Sequence, residues 1–192
     1  MVVETFGTVA PRESLKLVAQ VRGPVAAIDP VFKEGGFVPE NTRMIQIDPR
    51  TYELAAERRR VQIKQAQAEL KSLEQQVVNL KARVKIARSD VKLAKNEYLR
   101  LKKLVDRKVI AQSQLDKTEQ VYLASRERLQ ALDNQLALIA PQKEQLIAAR
   151  DMARVMYQEA LLELERSGIV APFDGWVLEK SIEVGQHVNI GQ

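Results

Sequence analysis

The chain has 192 residues, of which 29% are charged and only 5% aromatic, and it carries no cysteine and a single histidine, His187. Disulfides, thiolate metal sites, cysteine nucleophiles, a lipidated cysteine within these residues, His-based triads and multi-histidine metal centres are thereby excluded. The net charge of +5 is unevenly placed: residues 53–108 hold 16 Lys+Arg against 7 Asp+Glu, whereas residues 112–167 hold 7 against 9.

The composition favours long helices over a thick globular core. No apolar run approaches the roughly 18 residues needed to cross a membrane, and residues 1–20 lack a signal-peptide profile. The first flank, residues 18–48, reads as β: short Val/Ile runs are broken by Gly-Pro, Asp-Pro, Gly-Gly and Pro-Glu turns. Asp48 before Pro49 marks a helix start, an N-cap carboxylate followed by proline at the first helical position.

From Ile63 the apolar positions then step by three and four: Ala66, Leu70, Leu73, Val77, Leu80, Val84, Ala87, Val91, Ala94, Tyr98, Leu101, Val105. This is a heptad seam, and it requires a partner helix. The rhythm stops near Val105 and restarts at Leu115, Thr118, Tyr122, Ser125, Leu129, Leu132, Leu136 and Ile139. It falters at Pro141, where a kink or short break is expected. It resumes one phase over at Leu146, Ala149, Ala153, Met156 and Ala160.

Arms of about 50–107 and 113–167 predict an antiparallel αα-hairpin on the order of 80 Å long, with its tip near 106–113 and its end at Ser167 and Gly168. Gly168 is expected to be a left-handed C-cap. The second flank, 169–192, returns to β texture with "VAPFDGWV" and two further Gly turns. "VFKEGGFV" in the first flank matches "SIEVGQHV" in the second, which reads as an internal repeat split by the hairpin.

Few residues invite chemistry. His187 has no second ligand and reads as a surface histidine, and Trp176 as core filling between the two half-motifs. Asp29, Glu34, Asp48 and Asp174 are scattered among turns, where carboxylates bond backbone amides. A basic arm admits a coiled-coil scaffold that binds nucleic acid. The absence of aromatic interleaving favours two solvated helix faces instead.

With "AQVRGPV", "FKEGGFV" and "IQIDPRTYE" before the hairpin, and "APFDGWV" and "VGQHVNIGQ" after it, the chain resembles the periplasmic adaptors, or membrane fusion proteins, of the HlyD-like family. The likeness is to the adaptors of RND-type multidrug efflux pumps. The resemblance implies an α+β fold in which a helical coiled-coil hairpin, 49–168, is inserted between two halves of a lipoyl-like β-sandwich, 19–48 and 169–192. It also implies that residues 1–18 are a partial β-barrel strand region of a truncated core.

In function the resemblance implies no catalysis, no cofactor and no metal, and a periplasmic protein whose full-length form is anchored to the inner membrane. Its implied partners are an inner-membrane transporter, a TolC-like outer-membrane channel and further copies of itself, as a hexamer or trimer of dimers, with no nucleic acid. An adaptor of an ABC or major-facilitator exporter is the alternative within the family. A carrier-domain subunit is a further alternative, and the helices standing where a display lysine would sit argue against it.

The family's tip motif carries onto Arg100 and Leu104, with Ala111 where the pattern has Ser, and Ser113 is the nearest hydroxyl. An Arg fork can meet carbonyls or carboxylates, and Leu104 can pack in a groove. Val109 and Ile110 lack seam partners and read as exposed contact residues. The bland reading makes Arg100 a solvated charge and Leu104 a flank of the seam.

Overall fold

A computed structural model describes residues 13–191. It is a mixed helix and sheet protein with the order β1 (Gly23–Ile28), β2 (Phe37–Val38), β3 (Arg43–Ile47), α1 (Arg50–Asp106), α2 (Gln112–Glu165), β4 (Gly168–Val170), β5 (Gly175–Trp176) and β6 (His187–Val188). It divides into two compact units, the described parts of Met1–Arg58 with Tyr157–Gln192, and Arg59–Met156.

The β unit holds a four-stranded sheet, β4-β3-β1-β6, and a two-stranded sheet, β2-β5. Its core is Ala19, Val21, Val25, Val38, Met44, Ile45, Ile47, Ala171 and Val188, with Ile47 wholly buried. The repeat seen in the sequence is also a repeat of hydrogen bonds. The Gly35 N–H donates to the Val177 carbonyl (2.8 Å), and the Gly185 N–H to the Val25 carbonyl (2.9 Å). Val177 and Val25 answer with N–H donation to the carbonyls of Gly36 and Gln186, at 2.9 and 2.8 Å. Asn41 to Ala171 and Gly191 to Ala19 complete the set, at 2.8 and 2.9 Å.

The pairings match as well: Val38 faces Gly175 as Val188 faces Gly23. "AQVRGPV" and "APFDGWV" are therefore equivalent phrases, and these reciprocal bonds tie each half to the other, while β1 also pairs with β3 inside the first half. Gly23 is required at one of these positions. Its φ is +153°, and a Cβ there would stand 2.9 Å from Cγ2 of Ile47.

The helix starts at the predicted cap. Asp48 Oδ1 accepts from the Arg50 N–H at 3.1 Å, and the Glu53 N–H donates to the Pro49 carbonyl at 2.8 Å. The same carboxylate grips the Arg50 side chain at 2.6 Å, which lowers its pKa from 3.8 to about 2. At the other end α2 stops at Glu165, and Gly168 is not left-handed but the first residue of β4, so the expected glycine cap is corrected. Buried Ser167 takes over the capping. Its Oγ donates to the Leu164 carbonyl at 2.6 Å, and its carbonyl accepts from the Ile47 N–H at 2.8 Å. That hydrogen bond stitches the returning chain onto β3.

In the helical unit the arms run antiparallel. Arg59 meets Met156, Arg88 meets Asp133 and Tyr98 stacks on Tyr122, so partner numbers fall as α1 advances. The predicted seam positions are buried or half-buried in both arms except Ala149, which is exposed. Pro141 lies inside a continuous α2, so the expected break is absent. One missing N–H removes a single rung, and the arm on either side holds through its seam. Of the segment 1–18, residues 1–12 lie outside the described residues, and 13–18 carry no strand. Among the described residues no helix is long and apolar enough to cross a membrane.

Candidate docking tip of the hairpin

The tip is the place where sequence reading and geometry can be compared residue by residue. α1 ends by hydrogen bonds, not by glycine. The Val109 N–H donates to the Leu104 carbonyl (2.9 Å) and the Lys108 N–H to the Val105 carbonyl (2.7 Å), with Lys108 itself at φ +59°. These bonds form a Schellman motif, normally closed by glycine at the left-handed position. Lys108 adopts the conformation against its steric preference, which is how the chain reverses without Gly or Pro.

α2 restarts at Gln112 with Ala111 at its N-cap, where the Gln114 N–H reaches the Ala111 carbonyl at 3.1 Å. An alanine there offers no side-chain acceptor, so the first turn of α2 lacks the bond that a serine would supply. Ser113 falls one residue inside the helix and is exposed.

The predicted tip residues are brought to one end but are not alike. Val109 is 65% exposed, whereas Ile110 and Leu104 are half-buried, which corrects the reading of Ile110 as exposed. Arg100 is exposed, but its fork is already taken. It donates to both carboxylate oxygens of Glu97, at 2.9 and 2.6 Å, one helical turn back. This contact holds Glu97 below the usual carboxylate range and raises Arg100 further. Arg100 is thus charge-paired within its own helix, at the surface.

Two features escaped the sequence. Trp176 is not core filling: Val177 beside it packs on the core, so strand alternation turns Trp176 outward, 68% exposed and edge-on to Phe37 at 5.4 Å. The signal was available, because its equivalent in the repeat is Pro24, an outward position. The second is the arrangement of charge on α1. Lys81, Lys85, Arg88 and Lys92, together with Ser89, Val84 and Leu136, line a groove of about 430 Å³. Among the described residues no group of His, Cys, Asp or Glu is arranged to hold a metal ion.

A family model for the barrel-sandwich hybrid domain of RND membrane fusion proteins matches residues 13–192. Among solved structures, a putative efflux transporter from Bacteroides eggerthii is similar at 21% identity and TM-score 0.51, over 94% of this chain and 37% of that one. MacA from Actinobacillus actinomycetemcomitans is similar at 21% identity and TM-score 0.48, over 93% of this chain and 46% of that one. The periplasmic adaptor protein EmrA follows at 16% identity and TM-score 0.44, over 92% and 68%. The chain thus spans less than half the length of the first two. Among curated proteins, none matches.

Proposed function

The chain belongs to the family of RND membrane fusion proteins that carry the barrel-sandwich hybrid domain, and from that membership we propose that it is the hairpin-bearing part of a periplasmic adaptor in a tripartite efflux pump. In this reading it bridges an inner-membrane RND transporter to a TolC-like outer-membrane channel, without catalysis, as one of several copies in a ring. Its full-length form is attached to the inner membrane. The β unit is read as a lipoyl-like sandwich made of two half-motifs, and the reciprocal hydrogen bonds between those halves support that reading.

The observation that carries the docking role is the tip itself. A hydrogen-bonded reversal holds Val109 65% exposed beyond Arg100 and Leu104, where the seam ends. An apolar side chain held out by a defined turn is suited to a groove between helices of a partner. No cysteine occurs within these residues, so one introduced here is distinct in this part of the chain. In the full-length protein in cells, single cysteines replacing Arg100, Leu104 or Val109 should crosslink to an outer-membrane channel, and one replacing Gln75 should not. Crosslinks at 75 with none at the tip would sink the proposal.

A further inference from the structure

The groove on the hairpin is one part of a longer charged face. Lys81, Arg88, Lys95 and Lys102 recur every seven residues, and Lys85 and Lys92 stand four residues after the first two. On an α-helix that spacing places all six on one flank, as a double row with a repeat of about 10 Å. The flank is identified by contact: Arg88 reaches Asp133 of α2 at 3.4 Å, so the row lies along one side of the seam. Arg126 stands seven residues before Asp133 on α2 and adds a cation to the same side, with its guanidinium over the Tyr122 ring at 5.8 Å. Among the described residues, Arg88 is the only one of the six with an ion-pair partner.

Charge alone would suit any polyanion. Two observations narrow the choice. The groove floor is apolar, formed by Val84 and Leu136. The row holding Lys85 and Lys92 is also flanked at seven-residue spacing by Val78 and Leu99, which are 60% and 43% exposed. No aromatic side chain lines the groove to stack a base. An apolar floor beside cationic positions that repeat every seven residues fits the face of an α-helix, whose side chains recur at the same interval, as those of a polysaccharide or nucleic acid do not.

We propose that the flank of the hairpin from Val78 to Lys102 docks an acidic amphipathic α-helix of another protein, laid along α1 beside the seam. Carboxylates of that helix meet Lys81, Lys85, Lys92 and Lys95, and its apolar stripe covers Val78, Leu99 and the groove floor. This surface lies on the side of the arms and is separate from the tip.

The test uses the chain with a fluorescent synthetic amphipathic peptide that carries Glu on both sides of an Ala/Leu stripe, beside a scrambled peptide of the same composition. The patterned peptide should bind more tightly than the scrambled one, and weaken as salt is raised. Lys85→Glu with Lys92→Glu, both exposed and therefore compatible with a folded hairpin by circular dichroism, should weaken binding about tenfold or more. Val109→Asp at the tip should leave it unchanged. Equal binding of the scrambled peptide, heparin or duplex DNA, indifference to the double variant, or loss with Val109→Asp would each overturn the proposal.

Discussion

The β unit and the helical hairpin are stabilised in opposite ways. In the β unit β1 pairs with β3 inside the first half, both also pair with strands of the second half beyond the hairpin, and nine buried side chains share one core. In the hairpin, stabilisation is spread along a seam in which each rung involves only a few neighbours. Small residues such as Ala66, Ala87 and Ala153 are among its most buried. Damage in the first should therefore propagate through its unit, and damage in the second should stay near its rung.

The largest expected effect is on the β side. Ile47→Ala removes a side chain that is fully buried and next to Gly23, and should cost about 3–4 kcal/mol. Amide exchange should then accelerate together across β1, β3 and β6. Protection lost in β3 alone would contradict the shared core.

Leu73→Ala, at the most buried leucine of the seam, should cost about 2–3 kcal/mol. Its faster exchange should be confined to adjacent turns of α1 and the facing turns of α2. A uniform rise along both arms would show that the hairpin is as cooperative as the β unit.

At the tip the sign reverses. Ala111→Ser supplies the missing N-cap acceptor and should stabilise α2 by about 1 kcal/mol. Lys108→Gly relieves the left-handed residue of the Schellman turn and should stabilise by roughly 0.5–1 kcal/mol. Both are read from denaturation midpoints, and a loss of stability in either would refute the turn assignment.

The smallest effect is at Asp48. Because its pKa is lowered on folding from 3.8 to about 2, its contribution is fully present above pH 3.8 and disappears as pH falls toward 2. Asp48→Asn, which keeps a capping oxygen but not the charge, should lower stability slightly at neutral pH, flatten the profile over that interval and leave stability near pH 2 almost unaffected. An unchanged acid limb in the variant would place the titration elsewhere.

Much of this was legible in the residues alone. A three-and-four step over forty residues has no other buried solution than a paired helix, so the arms, their antiparallel sense and the start at Asp48 followed from periodicity and capping chemistry. The split repeat was visible because both halves carry the same turn and strand phrase. Gly168 misled because a glycine after a helix is commonly a left-handed cap, whereas here the returning chain joins β3 at once and Ser167 does the capping. Trp176 misled because size suggests burial, while strand alternation decides which way a side chain points.

What the sequence determined by itself is therefore whatever rests on local period and local backbone chemistry: the two arms, the cap at Asp48, the site of the reversal and the pair of half-motifs. Tertiary structure alone decided how the half-motifs exchange hydrogen bonds and that Lys108 rather than a glycine closes the tip. It also decided that the cations recurring every seven residues lie along the side of the seam where Arg88 meets Asp133. Those outcomes depend on which side of a helix or strand faces a partner, and that is set only when the partner is in place.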